Sequence, residues 1–531
     1  GTINVKGYDG GYLSPEDAEN LTIAIDMWEN GAFNLNKYDV TADDLKKVDA
    51  DGNLIWAEGS EEHKLSKDID ELNLKFNIDP EEIAKLSQTD KDALEEATTA
   101  QNRTFIWVDG AEQLNGIQAY KDENADSQIL SYNFALKGDV DASQLTNYNP
   151  IGSGTTTVTG DDGKATTIEN KFNGTFDGRG FRIIGLDVNH GGKDDNGNTV
   201  VKKHDDAGVF GTVGEGGTVK DLGIYSSHII GEDTAGAVAG RNEGTITGVT
   251  TFGNEVKVTG IEASTTIERG KGAGEDKAGS IVHVGAAGGI TGVNSGTITN
   301  VHASDTVIAS EGDADEYESN KTYMTVAGGV AGINKADLDT AGGMIGAWDT
   351  NVPAGVLSTS AVITDTSVET STIMHGLGGT AGINESAIYN VAAFGATNGS
   401  YGAKGASTNE YVGGIMGVNY SPYVYGAYNE STVTGASNVG GIAGKNDIRT
   451  IFSDGGQLNY VANAGSVTSI ADLITTDDSK KSSYVGGIIG SNYGVINRGR
   501  NTGTVTGVNY VGGIAGFNAS GAEMTNISNA I

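Results

Sequence analysis

Cysteine is absent from the 531 residues, and proline occurs only five times. Without cysteine the chain has no disulfide scaffold, no thiol nucleophile and no cysteine-ligated zinc. Five prolines beside 81 glycines exclude a collagen helix and a proline-rich linker. No stretch approaches the roughly 18 consecutive apolar residues of a membrane-spanning helix, so no membrane insertion is predicted for this segment.

Positive charge is also scarce, because 34 lysines and arginines stand against 70 aspartates and glutamates, for a net charge of −36. Nucleic acids and anionic lipids bind cationic patches, so nucleic acid is excluded as a partner. The acidity fits a secreted or cell-surface protein. No cofactor is predicted, and Ca²⁺ is the one ion that this acidity would attract.

What the chain has in abundance is a glycine-rich phrase that ends in asparagine. It reads YVGGIIGSN at Tyr484–Asn492 and, 26 residues later, YVGGIAGFN at Tyr510–Asn518. A period of this length marks a repeat array whose units stack and share a core. Less regular copies lie at Ala207–Val219, Ala235–Asn242, Ala287–Asn294, Ala327–Asn334, Leu377–Asn384, Tyr411–Asn419 and Asn438–Asn446.

The apolar residues of each unit come in short runs separated by Gly, Asn and Thr, which is typical of short strands and tight turns. We therefore predict an all-β protein, a right-handed parallel β-helix in which each strand pairs with its equivalent in the next coil, about 4.8 Å away. The recurring asparagine would occupy one corner of every coil and form hydrogen bonds with its copies above and below. This predicted structural ladder comprises Asn242, Asn294, Asn334, Asn384, Asn419, Asn446, Asn492 and Asn518.

Three regions are predicted along the chain. Residues 1–104 lack the phrase and carry helix-start patterns such as Ser14-Pro15, so they form a small α+β module or an insertion in an early coil. Residues 105–204 form an N-terminal cap and the first coils, with a short helix over Ala111–Tyr120 that plugs the core. Residues 205–531 form the repeat β-helix. Both ends of the sequence are expected to be cuts in a longer protein.

Polar stretches that interrupt the array are interpreted as insertions leaving from corners of the coils. A binding site is expected in these loops, because the coils themselves are occupied with stacking. The insertions span Thr155–Thr167, Gly191–Asp206, Gly260–Ser280, Glu311–Thr322, Lys335–Ser371, Ser400–Glu410 and Ile470–Ser483.

One insertion carries the densest acidic cluster of the array, Asp313, Asp315, Glu316 and Glu318. Ca²⁺ prefers carboxylate ligands, so these four residues are calcium candidates, with solvated loop charge as the alternative. The stretch Asp194–Asn198 has the same two interpretations. The loop Val48–Leu54 lacks the Gly and Glu that an EF-hand requires at its positions 6 and 12, which favours a hairpin turn. No metal site is assigned.

Four tyrosines cluster in the stretch NYSPYVYGAYNE: Tyr420, Tyr423, Tyr425 and Tyr428. Exposed tyrosines can stack on sugars or anchor a protein partner, so these four are the candidate binding residues. The alternative is an ordinary loop that packs on the flank of the solenoid.

Motifs for catalysis are missing. The seven histidines are scattered singly, and the chain contains no HExxH, no GxSxG elbow and no P-loop. Polysaccharide lyases and hydrolases built on β-helices use carboxylates and basic residues on one flank, and Asp177 with Arg179 and Arg182 is the one compact group of that type. A turn with arginines stacked along the first coil explains it as well. We therefore assign no catalytic residue and predict that the chain is not an enzyme.

The repeated phrase resembles the GLUG motif of large bacterial surface proteins. These include filamentous-haemagglutinin-like adhesins and the regions upstream of the catalytic domain in some IgA-specific metallopeptidases. The stretches Phe105–Leu114, Ala135–Gly152 and Phe172–Leu186 resemble the lead-in to such repeats, so the resemblance covers about residues 105–531.

The resemblance implies a non-catalytic segment of a secreted or bacterial cell-surface adhesin. In this interpretation the chain is a rigid stalk whose loops contact a protein or glycan on host or neighbouring bacterial cells. One alternative is a carbohydrate-active β-helix, either a polysaccharide lyase or a hydrolase. Another is a structural spacer upstream of a peptidase domain.

Overall fold

The structure is a computed structural model, and the α+β module predicted for residues 1–104 lies outside the part of the chain that it describes. The described residues are 106–119, 128–145, 148–159, 164–188, 205–258, 266–268, 281–309, 322–336, 343–346, 356–358, 362–365, 374–399, 410–447, 455–470 and 483–530.

Short parallel strands stacked coil upon coil make up most of these residues. They form three long sheets, in which a residue of one coil pairs with its equivalent in the next. The prediction of an all-β parallel solenoid is therefore confirmed, while its right-handed sense stays a prediction. Among the described residues, no helix combines the length and the hydropathy needed to cross a membrane.

The glycine sheet contains the strands that precede the Gly-Gly turns. One glycine of every coil from Gly236 to Gly512 lies in register with its copies. Its strands are Asp206–Ala207, Thr234–Gly236, Ile281–Gly288, Thr322–Gly328, Met374–Gly378, Glu410–Gly413, Asn438–Gly440, Tyr484–Gly486 and Val511–Gly512, with Thr266–Glu268 paired antiparallel to Ile281–Gly288.

The asparagine sheet follows each turn, and eight of its nine strands end in asparagine. Its strands are Phe210–Val213, Ala239–Asn242, Thr291–Asn294, Ala331–Asn334, Ala381–Asn384, Met416–Asn419, Ala443–Asn446, Ile489–Asn492 and Ala515–Asn518.

The long sheet completes each coil, bending at corners where Asn300, Asn390 and Arg498 adopt positive φ. Twelve of its strands form one column from Ile106–Val108 to Glu523–Thr525, which at about 4.8 Å per coil is roughly 50 Å long. Its strands are Ile106–Val108, Phe134–Leu136, Val140–Asp141, Thr175–Asp177, Arg182–Ile184, Asp187–Val188, Thr218–Lys220, Gly223–Tyr225, His228–Gly231, Thr245–Val258, Thr297–Ala309, Met344–Ile345, Val356–Ser358, Val362–Asp365, Ala387–Ala393, Ala396–Asn398, Val424–Asn429, Thr432–Gly435, Gln457–Asn463, Val467–Ser469, Val495–Asn501, Val505–Thr506, Glu523–Thr525 and Ser528–Asn529.

The hydrophobic core lies inside the coils and is continuous along them. In one coil Val485, Ile488 and Ile489 are fully buried in it. A helix predicted for Ala111–Tyr120 is confirmed over Ala111–Ala119, and its Leu114 and Ile117 join the same core. A short 3-10 helix follows at Gln128–Ser131.

Among the described residues, three predicted insertions contain complete strands. The stretch Gly260–Ser280 contains Thr266–Glu268, which pairs antiparallel with Ile281–Gly288. The stretch Thr155–Thr167 contributes to an antiparallel hairpin of Thr155–Thr159 with Ala165–Glu169. The prediction of one uninterrupted insertion over Lys335–Ser371 is wrong, because three of its segments pair in the long sheet and complete a coil. These segments are Met344–Ile345, Val356–Ser358 and Val362–Asp365.

Candidate binding surface

A column of asparagine side chains runs along the corner that follows the asparagine sheet. At each step the Nδ2 atom of one residue donates to the Oδ1 atom of its equivalent in the next coil, at 2.8–2.9 Å. All but the last member are at most 1% exposed, so these hydrogen bonds satisfy amides that water does not reach. The members are Asn242, Asn294, Asn334, Asn384, Asn419, Asn446, Asn492 and Asn518.

The amide hydrogen bonds of this first ladder all point in the same direction, so its two ends differ. Val213 occupies the equivalent position below Asn242, whose Oδ1 atom therefore has no donor among the described residues. At the other end, Asn518 Nδ2 donates to the carbonyl oxygen of Ala522 at 3.3 Å. A slip of one residue in any coil would break the ladder there, so these amides fix the register of the stack.

A second ladder, which the sequence analysis missed, lies at the next corner of the long sheet. Its amides are linked at 2.7, 2.8 and 3.0 Å in the order Asn429, Asn463, Asn501 and Asn529. The first three also donate to the carbonyl oxygen two residues further on, which belongs to Ser or Gly. The pattern Asn-x-Ser/Gly was the available signal.

The second ladder explains the second glycine of the Gly-Gly turns. A Cβ atom placed at Gly414, Gly441 or Gly487 would lie 2.2–2.3 Å from the Cγ atom of a ladder asparagine and the same distance from a backbone oxygen of the next coil. No side chain fits at these positions, so these turns require glycine for space.

The four candidate tyrosines separate into two pairs. The expectation of exposed rings is wrong for Tyr420 and Tyr428, which are 5% and 0% exposed. Tyr420 packs in an outer apolar cluster with residues such as Ile383 and Val418, while the hydroxyl of Tyr428 donates to Glu430 at 2.8 Å. Alternate residues of a strand face opposite sides, which a cluster of rings in the sequence does not reveal.

Tyr423 and Tyr425 lie on the surface of the long sheet. Tyr423 is 51% exposed, and Tyr425 belongs to a row of partly exposed rings from three successive coils. The ring centroids of Tyr389 and Tyr425 are 6.2 Å apart, and those of Tyr425 and Tyr460 are 6.3 Å apart. We call Tyr389, Tyr425, Tyr460 and the exposed Tyr423 the tyrosine row.

The row is continued by a guanidinium group. The Cζ atom of Arg498 lies 4.7 Å from the centroid of the Tyr460 ring, and Arg498 Nη1 donates to the Tyr460 hydroxyl. Burial, followed by the neighbouring phenols of Tyr425 and Tyr423, raises the pKa of Tyr389, so its hydroxyl stays protonated at neutral pH. The surface thus combines several phenol rings with one guanidinium group.

A second aromatic group surrounds Lys445 between the glycine and asparagine sheets. Lys445 Nζ lies 2.7 Å from Asp447 Oδ2, and 5.0 and 5.6 Å from the ring centroids of Tyr493 and Tyr411. Burial lowers the pKa of Lys445, but Tyr411 and Asp447 more than offset this, so the net pKa is raised. Both charges are neutralised within the protein, which makes this cluster a packing element.

The candidate catalytic group is engaged in turn and sheet structure. Asp177 Oδ1 accepts from the backbone N–H of Arg179 at 2.8 Å, and its Oδ2 forms an ion pair with Lys220. Arg179 adopts positive φ and is 9% exposed, whereas the Arg182 guanidinium lies 5.3 Å from the Tyr225 ring centroid. These contacts match the alternative interpretation of the sequence, a turn with arginines stacked along the coil.

The calcium candidates Asp313, Asp315, Glu316 and Glu318 lie outside the described residues, as do Asp194–Asn198 and Val48–Leu54. Within the described ranges, no three His, Cys, Asp or Glu side chains lie close enough together to hold a metal ion.

The carboxyl group of Asp305 is buried in the early coils, where it accepts hydrogen bonds from Asn254 and Thr251. Its Oδ1 atom accepts from the backbone N–H of Asn254 at 3.0 Å and from Asn254 Nδ2 at 2.7 Å, and Thr251 Oγ1 donates to its Oδ2. Burial raises the pKa of Asp305 to about 6, although these hydrogen bonds lower it. Because the pKa in the folded state exceeds the ordinary value of 3.8, the folded chain gains stability as pH falls from above 6 toward 4.

We expect Asp305→Asn to stabilise the protein at pH 8 by up to about 3 kcal/mol, since asparagine keeps the acceptor and removes the buried charge. Urea unfolding of both proteins between pH 4 and 8 measures this difference. The exposed Glu215→Gln serves as the matched control. The raised pKa of Asp305 would be contradicted if the stability difference between Asp305→Asn and the original protein did not decrease as pH falls.

The fold and the ladders define the class of protein: a parallel β-solenoid whose coils are held in register by buried asparagines. No protein-family model matches the chain, so the likeness to GLUG repeats stays a resemblance. Halomucin of Haloquadratum walsbyi is 30% identical over 130 residues, which is 24% of this chain and 1% of halomucin.

Among solved structures, an immunoglobulin A1 protease candidate from Bacteroides ovatus is similar at 15% identity. The alignment covers 76% of this chain and 86% of that one, with a TM-score of 0.33. At that score the likeness carries no argument about fold or function.

Proposed function

We propose that the chain is a non-catalytic segment of a secreted or cell-surface protein, a rigid rod that attaches to host or neighbouring bacterial cells. The observation that carries the proposal is the tyrosine row, in which the partly exposed rings of Tyr389, Tyr425 and Tyr460 lie with centroids 6.2 and 6.3 Å apart beside the exposed Tyr423. Tyrosine offers a large, rigid contact area at a low cost in side-chain entropy.

Two properties of the rod support this proposal. The first ladder joins eight coils through buried amide hydrogen bonds, so a contact surface on one coil keeps its position relative to the others. The net charge of −36 keeps such a rod soluble outside the cell, and the lack of cysteine leaves no thiol to oxidise there.

Beads coated with the chain are expected to attach to at least one surface in a panel of host and bacterial cells. A Tyr423→Ser/Tyr425→Ser variant should attach less than the original chain. The control is Tyr411→Phe, which alters a tyrosine of the Lys445 cluster outside the tyrosine row and should attach as well as the original. The same protein incubated with polysaccharides should release no new reducing ends. Failure to attach to any surface would favour a pure spacer, and reproducible cleavage would overturn the non-catalytic role.

A further inference from the structure

Phe252 is a large apolar residue that the early coils leave exposed. It is 54% exposed, and Tyr225 occupies the equivalent position in the coil before it. The two ring centroids are 5.8 Å apart, and the ring planes are inclined by 47°. Ile224, the neighbour of Tyr225 in its strand, is fully buried, so Tyr225 points away from the core. The two rings therefore form an aromatic surface on the outside of the long sheet.

A guanidinium group extends this aromatic surface. Arg182 lies one coil before Tyr225, and its Cζ atom is 5.3 Å from the centroid of the Tyr225 ring, within the range of a cation–π contact. Gly223 leaves room for this contact, because a Cβ atom there would lie 2.9 Å from Arg182 Cγ and 3.2 Å from Tyr225 Cε1. We call Arg182, Tyr225 and Phe252 the early platform.

Polar atoms at the edges of the early platform are available to a ligand. Among the described residues, neither the Arg182 guanidinium nor the Tyr225 hydroxyl has a hydrogen-bond or ion-pair partner. Ser304 occupies the equivalent position in the coil after Phe252 and adds a partly exposed hydroxyl group. An exposed ring face with donors and acceptors at its edges suits a sugar, whose C–H face stacks and whose hydroxyl groups form hydrogen bonds.

The charges around the early platform favour a ligand without net charge. Asp221 precedes the strand of Tyr225, Glu255 follows Phe252 by three residues, and both carboxylates are exposed. These carboxylates and the net charge of −36 oppose an anionic ligand, as they oppose nucleic acid. The guanidinium of Arg182 opposes a cationic ligand at the rings themselves.

The small extent of the early platform favours a sugar over a folded protein. Within the described ranges, the other well-exposed large apolar residues lie in the hairpin, at Ile168, or in later coils, from Tyr423 onward. A stable protein interface covers roughly 800 Å² on each partner and has a cluster of anchoring side chains. Phe252 and Tyr225 alone provide too little surface for such an interface, but enough for a short segment of a glycan.

We propose that the early platform binds a neutral glycan. A sugar ring stacks on Phe252, the hydroxyl groups of Tyr225 and Ser304 form hydrogen bonds with its edges, and Arg182 donates to neighbouring sugar hydroxyls. The inference goes beyond the proposed function, because it assigns a ligand site that is separate from the tyrosine row. The two surfaces belong to different coils, so each can be tested without altering the other.

Titration calorimetry of the whole chain with neutral hexasaccharides of glucose, mannose, galactose and N-acetylglucosamine tests the proposal, with hexagalacturonate as the anionic comparison. We expect at least one neutral hexasaccharide to bind with an affinity that added salt does not change, and hexagalacturonate to bind much more weakly. Phe252→Ala should lower the affinity about tenfold or more, because it removes the stacking ring. Arg182→Gln should lower it about fivefold, because it removes donors to the sugar.

Two further variants separate recognition from folding. Phe252→Tyr keeps an aromatic ring and should bind nearly as well as the original chain, whereas Ile168→Ala removes an apolar side chain of similar exposure, 50%, and should change nothing. Equal affinity of Phe252→Ala and the original chain would overturn the proposal, as would stronger binding of hexagalacturonate or no binding of any neutral hexasaccharide. Coated beads that attach to cells, from a chain that binds no neutral hexasaccharide, would overturn this inference and leave the proposed function standing.

Discussion

Replacing Gly441 with alanine is expected to destabilise the coils on either side by more than about 4 kcal/mol. The new Cβ atom would lie 2.2 Å from the carbonyl oxygen of Gly487 and 2.3 Å from Asn463 Cγ. One of these neighbours is backbone of the next coil, so no change of rotamer relieves the overlap. The coils can accommodate the methyl group only by separating, which breaks ladder hydrogen bonds of Asn463.

Hydrogen exchange of the backbone amides measures this effect coil by coil, which suits a stack in which each repeat contacts only its neighbours. The matched control is Gly138→Ala, since a Cβ atom at Gly138 meets nothing within 4 Å, and its stability should change by less than about 1 kcal/mol. Similar protection in the two variants would mean that a methyl group fits at the second glycine of the Gly-Gly turns. The second ladder would then not be the reason for glycine at these positions.

The sequence predicts the solenoid well because its repeats share a recognisable sequence motif. Asn492 and Asn518 each close the same phrase, so equivalent positions can be aligned without coordinates, and equivalent positions stack in a parallel β-solenoid. The members of the second ladder share no phrase. Asn429 and Asn463 share only the pattern Asn-x-Ser/Gly. This pattern is too short to be recognised in a chain with 81 glycines.

Exposure of single side chains was less predictable than the fold. Tyr420 directly follows a ladder asparagine and packs in the outer cluster, while Tyr425, five residues later, lies on the surface. The difference depends on where each corner falls, and corners are set by residues such as Gly426 at positive φ. The strand Met344–Ile345 was missed for a related reason, since two residues are too few to show alternation.

The direction of the first ladder leads to a prediction about Asn419, which is fully buried. Its Oδ1 atom accepts from Asn384 Nδ2 at 2.9 Å, while its Nδ2 atom donates to Asn446 Oδ1 at 2.9 Å and to the Ser421 carbonyl at 3.0 Å. In Asn419→Asp the donor becomes a carboxylate oxygen that faces two acceptors. We expect a loss of about 3–5 kcal/mol at pH 7, from a buried charge without a donor on that side.

Acidification should restore part of the stability of Asn419→Asp. Burial raises the pKa of the introduced carboxyl above its unfolded value, so the folded state gains stability as pH falls, and the protonated acid can donate to Asn446 again. Urea unfolding between pH 4 and 8 measures this recovery. Asn518→Asp is the matched control, because this exposed last member donates only to Ala522 among the described residues, at 3.3 Å. Equal losses in the two variants, or a loss independent of pH, would show that directional amide bonds do not stabilise the stack.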